Sequence, residues 1–233
     1  MIEEALDNIK DQDSYAAIEY LITDEGDERK KVNGFNVLTN QLYWEEKDLD
    51  ASIAMGRAGI QYGIMAALQL EQDNPKLAHN IRTTCRAIAI NLASFTWKGW
   101  DEVGIDIEPS HCLIGLDAAK AALRLSEELD ENDLLRSRCH WTLGAQWLSA
   151  GELEKARDAF LTASNHAKAA NEPGETLLSL GFHFLARLLV NPNDADALEK
   201  MNKVKKKLKD IKGGRAFAFQ IDTAEYVFQE ANV

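Results

Sequence analysis

The residues best equipped for chemistry gather in one irregular stretch, KGWDEVGIDIE at 98–108, followed closely by His111 and Cys112. Asp101, Glu102, Asp106 and Glu108 offer the hard oxygen ligands that a divalent cation prefers. A carboxylate beside a histidine is also the pairing that general acid–base hydrolysis needs. The spacing supports neither well: no HExxH, no CxxC and no EF-hand ligand alternation occurs. A metal-dependent hydrolase using the acidic 98–111 loop is therefore the remote expectation. The nearer one is a loop laid across a helical surface, with Trp97 and Trp100 as its anchors.

The remaining reactive groups read as packing. Cys85, Cys112 and Cys139 are odd in number and contain no short-spaced pair, which argues against a disulfide framework and for a reducing, cytoplasmic setting. Among Ala, Ile and Leu they read as small buried hydrophobes. His140, His166 and His183 fall on separate helices without motif spacing, as surface or packing residues. GIMAA, GLDAAK and GGR lack the strand that a phosphate-cradling loop requires. The expectation is of no catalytic residue, no metal and no cofactor. The opening MIEEALDNIKDQD has neither a basic n-region nor an apolar h-region, so no secretory leader is expected. The most apolar stretch, around Ala87–Trp97, carries Asn91 and runs into Lys98, so no membrane span is expected either.

The elements that must hold these residues are helices. The 233 residues include 14 Gly and 4 Pro, against roughly 16 and 12 at average usage, too few turn-formers for a sandwich or barrel. Apolar periodicity and capping signals predict helices over about 14–22, 32–46, 50–72, 75–97, 110–128, 132–150, 152–170, 174–190, 194–211 and 215–230. Asp50 is the predicted cap of the third, and Pro75 suits the first turn of the fourth. Ser149-Ala150-Gly151, Asn171-Glu172-Pro173 and Asn191-Pro192-Asn193 have the length of turns between antiparallel helices. No convincing alternating strand occurs, Phe217–Ile221 being the one ambiguous window. The chain reads as a single all-α domain.

One segment is more specific. HWTLGAQWLSAGELEKARDAFLTASNHAKAANEP, from His140, carries Leu143-Gly144, Trp147, Gly151, Leu153, Ala156, Phe160 and Ala163. This pattern resembles the tetratricopeptide repeat, with His140 standing where that family usually has Trp and Pro173 about five residues late. Asn40-x2-Tyr43 with Leu49 and Ser52, and Leu180-Gly181 with Phe184, repeat the phrase more weakly. The resemblance implies a right-handed α-solenoid of about four antiparallel helical hairpins over residues 32–211. Residues 1–31 and 212–233 would form its caps.

It also implies a non-catalytic protein–protein interaction scaffold that binds a peptide or protein segment in a concave groove. In that family the first helix of each hairpin lines the groove. The positions carried over are Val37, Gln41 and Trp44, then Ile90, Ser94 and Trp97, then Arg138, Trp141, Ala145 and Leu148. Tryptophan and arginine are the types that dominate recognition hot spots. The competing reading is that these tryptophans fill space between hairpins. The Lys/Asn carboxylate clamp of some chaperone-binding relatives has no counterpart here. The alternative function is a peptide- or small-ligand-binding regulatory sensor or secretion-type chaperone, favoured if the Lys98–Glu108 loop closes a pocket.

Charge sharpens the choice of partner. With 26 Lys+Arg against 38 Asp+Glu, the net charge of −12 argues against nucleic acid, which needs clustered cations. The distribution is uneven: residues 1–50 carry 14 acids and 5 bases, whereas 199–215 carry 8 bases and 2 acids. The lysines flank an apolar stripe of Val204, Leu208 and Ile211, as on a solvated helix face. Their polarity also allows a homo-oligomer in which the acidic N-terminal end of one copy meets the basic C-terminal end of another.

Overall fold

In the computed structural model, which describes residues 1–230, the chain is all-helical and no strand occurs among the described residues. Eleven α-helices follow one another: α1 (Ile2–Asp11), α2 (Ser14–Thr23), α3 (Glu28–Trp44), α4 (Leu49–Leu70), α5 (Pro75–Phe95), α6 (Pro109–Glu128), α7 (Asp133–Ser149), α8 (Leu153–Ala169), α9 (Pro173–Val190), α10 (Ala195–Lys209) and α11 (Gly214–Glu230). One 3-10 turn, Lys98–Trp100, opens the segment between α5 and α6. The ambiguous 217–221 window lies inside α11.

Short polar side chains start many of these helices. Asp13, Asp27, Asp48, Asn74, Asn132 and Asp194 each accept a hydrogen bond from the backbone N–H three residues on, at 2.8–3.1 Å. That contact satisfies a donor the helix leaves free. The cap of α4 is therefore Asp48, not Asp50, whose carboxylate is left to meet His111. Pro75, Pro109 and Pro173 each occupy a first turn, where the missing N–H costs nothing. Gly151, between α7 and α8, adopts φ +75°, a conformation in which a β-carbon would be strained.

Two boundaries differ from the sequence expectation. Helix α1 was not expected, yet Ile2, Leu6 and Ile9 keep helical spacing and Ala5 and Leu6 are buried against the N-terminal core. Helix α3 begins at Glu28, inside the polar run, because Asp27 caps it.

Each helix packs on its sequence neighbours. The odd-numbered helices α3, α5, α7, α9 and α11 also pack beside one another in order. Small residues permit the closest approaches. A β-carbon on Gly63 of α4 would fall 2.3 Å from the Cys85 sulfur of α5, so the two backbones meet there. The apolar interior runs the length of the molecule, from Leu21, Phe35 and Ile81 at one end to Phe160, Phe182 and Ile221 at the other.

Candidate functional site

Helices α3 and α5 lie side by side and bring their C-terminal aromatics together. The rings of Tyr43 and Phe95 stack with centroids 4.0 Å apart and planes 6° from parallel. Trp44 stands edge-on to both, at 4.8 and 5.8 Å. Tyr43 and Phe95 are buried, whereas Trp44 is 54% exposed and presents an indole to solvent.

The loop after α5 supplies the opposite wall. Trp100, in the 3-10 turn, donates its indole N–H to the Ser94 carbonyl at 2.9 Å and lies 3.2 Å from the Ser94 hydroxyl. Glu102 follows, and α11 contributes Gln220. With Tyr43, Trp44, Ser94, Phe95 and Trp100 these residues enclose a recess of about 320 Å³. A second recess of about 230 Å³ shares Tyr43 and Glu102 and is bounded by loop residues Asp101, Ile105, Asp106 and Ile107.

Lys47 ties the two walls together. It occupies the turn after α3 with φ 55°, a left-handed conformation rare for a non-glycine residue. Its Nζ lies 2.7 Å from Glu102 Oε1, and 5.9 and 5.6 Å from the ring centroids of Tyr43 and Trp44. Burial raises the Tyr43 phenol well above its usual value, and the nearby Glu102 carboxylate adds to that effect. The chemistry on offer is recognition: exposed π surface, one carboxylate and adjoining backbone.

Beneath the loop lies an aromatic knot. Trp97 meets Trp100 at 4.8 Å, Trp141 at 5.5 Å, Phe182 at 5.8 Å and Phe228 at 6.1 Å. Trp100 also stacks on Trp141 at 5.6 Å. The buried indole N–H groups of Trp97 and Trp141 have no acceptor among the described residues.

The groove positions read from the sequence therefore divide. Trp44 and Ser94 share the recess, and Gln41 lies half-buried one turn before Trp44. Trp97, Ala145 and Leu148 are 1%, 1% and 2% exposed and belong to the core, as the space-filling reading of the tryptophans anticipates. Trp141 is half-buried in the same cluster. Arg138 is exposed but turned to Glu175 of α9, with Nη2 at 2.9 Å and Nε at 3.1 Å from Oε1. Val37 is exposed on α3, and Ile90 is half-buried on α5.

The acidic loop does not assemble into a cluster. Glu102 is held by Lys47. His111 Nδ1 accepts the backbone N–H of Glu108 at 3.1 Å, and its Nε2 lies 3.2 Å from Asp50. Among the described residues no group of three His, Cys, Asp or Glu side chains is placed to hold a metal ion.

Sequence reasoning missed one constellation. The imidazoles of His140 and His166 stack 5.4 Å apart, 8° from parallel, with His166 Nδ1 2.8 Å from Asp133. Burial, and secondarily His166, push His140 down to about 4. The antiparallel register of α7 and α8, which sets the Ser137 hydroxyl on the Ala163 carbonyl at 2.8 Å, also brings residue 140 beside 166. Spacing along one helix cannot reveal that pairing. The chain matches no protein-family model and no curated protein, so a functional reading of the recess stands on its geometry.

Proposed function

We propose that this protein is a non-catalytic recognition module built as a right-handed α-solenoid, tetratricopeptide-like in its hairpins. The hairpins are α3–α4, α5–α6, α7–α8 and α9–α10, with α1–α2 and α11 as caps. The ordered packing of the odd-numbered helices supports this arrangement. So does Gly144, which sits where the repeat phrase requires a small residue at a close helix crossing.

The observation that carries the functional reading is the recess at Trp44, an exposed indole held among buried aromatics and bounded by the 98–108 loop. A loop-bounded recess favours gripping a peptide segment at one or two side chains over docking on a flat groove. The hydrolase reading calls for the loop carboxylates to converge on His111, whereas His111 Nε2 is turned to Asp50 of α4.

An array of random-sequence peptides probed with the wild type and Trp44→Ala tests the reading. The expected result is loss of most hits in the variant, since Trp44 is half-exposed and its removal leaves no internal cavity. Identical hit patterns for the two proteins would exclude the recess as the binding site.

A further inference from the structure

We propose that the recess beside Trp44 receives a cationic side chain, lysine or arginine, from a partner peptide, and that Lys47 is its intramolecular stand-in. The inference rests on the peptide-recognition reading and names the chemistry recognised.

Lys47 does not line the recess, but it reaches three residues that do, Tyr43, Trp44 and Glu102, and so shows what they attract. Its ammonium lies within 6 Å of two ring centroids and 2.7 Å from Glu102. That is the combination of π surface and carboxylate that holds a cation. The pair is part-buried but reachable: the Lys47 and Glu102 side chains keep 34% and 30% of their surface in water, so a guest cation can approach the carboxylate. Trp44, half exposed, keeps π surface for a guest.

The surroundings complement a basic segment. The turn EEKDLD at 45–50 contains four acids and one base, and Asp101 and Asp106 line the adjoining recess. Near these groups, Lys10 meets Glu46, Lys47 meets Glu102, His111 faces Asp50 and Lys98 lines the same adjoining recess, so Glu45, Asp101 and Asp106 are the acids that carry the attraction. A recess of about 320 Å³ has room for one long side chain.

The test measures binding to the 233-residue chain at physiological salt by fluorescence anisotropy. The probes are a labelled peptide of alternating Lys and Ser, its norleucine-for-Lys counterpart and its Glu-for-Lys counterpart. The lysine peptide is expected to bind at least about tenfold more tightly than either control. Lys47→Met should tighten it about threefold or more by removing the competitor. Glu102→Gln and Trp44→Leu should each weaken it about fivefold or more.

Equal binding of the lysine and norleucine peptides would overturn the cation receptor while leaving peptide recognition intact. So would lysine-peptide affinity indifferent to both Lys47→Met and Glu102→Gln. Self-association abolished both by Lys206→Ser/Lys207→Ser/Lys209→Ser and by Trp44→Leu would assign the recess to a second copy of this chain and overturn the partner-peptide occupant. Failure of the lysine peptide together with an empty peptide array would remove the recognition reading as well.

Discussion

The backbone of Gly144 in α7 presses against the ring of Phe160 in α8, so that an added β-carbon would fall 2.8 Å from Phe160 Cδ1. The ring has little room to retreat, because Phe182 lies 5.2 Å and Trp141 6.2 Å from it. Alanine gains about 1 kcal/mol over glycine in a helix interior, but overpacking a rigid core costs about 1–3 kcal/mol. Gly144→Ala is therefore expected to lower the melting temperature, and Phe160→Leu in that background should recover part of the loss. A Gly144→Ala protein as stable as wild type, measured by urea titration, would contradict this account.

The two classes of tryptophan should separate in stability measurements. Trp97→Ala empties a site in the aromatic knot and is expected to cost about 3–5 kcal/mol. Trp44→Ala removes a half-exposed ring and should stay within about 1 kcal/mol of wild type. Comparable losses in the two variants would mean that Trp44 serves packing and not recognition.

Thiol reactivity should follow burial. Cys85 and Cys139 are fully buried, and Cys85 is pushed up to about 12 by that burial. Cys112 is half-buried, its thiol also raised by burial but partly offset by Lys98. A maleimide added to the native protein is expected to label Cys112 first, slowly, and the other two only as the chain unfolds. Native labelling that persists undiminished in Cys112→Ser would refute the assignment.

Acid should destabilise the α7–α8 hairpin through His140. Its imidazole is held at about 4, below the usual 6.5, by burial and then by His166. A base whose folded value is depressed stabilises the fold fully above its unfolded value, and that contribution is lost as pH falls toward the folded value. Between about pH 6.5 and about pH 4, wild type is expected to lose more stability than His140→Gln. Parallel melting curves for the two proteins across this window would show that His140 does not report on folding.

Much of the helical layout was legible because its signals are local. A capping side chain, a first-turn proline or a turn glycine acts within four residues, and Asn74-Pro75 and Gly151 announced themselves in that way. Helix α1 falls inside the 1–31 segment read only as a cap, because at ten residues it is short and its N-cap is Met1, with no Ser, Thr, Asp or Asn to announce its start. The candidate site was half legible. The spacing that picked out Trp44 and Ser94 also picked out Trp97, Ala145 and Leu148, and the side on which α7, α9 and α11 close decides which of these stay accessible. The pairing of Lys47 with Glu102 joins two turns 55 positions apart, and no period in the sequence encodes it.

The C-terminal helix gives the aromatic knot a further significance. Phe228 of α11 closes on Trp97, and Lys98 lies 4.7 Å over the same phenyl ring, although more than a hundred residues separate them in the chain. An array whose units touch only their neighbours can unravel from an end one unit at a time. Here α11 is fastened to the segment that follows α5, so local unfolding of α11 also strips the cover from Trp97. During synthesis Trp97 is without its Phe228 contact until more than a hundred further residues have emerged.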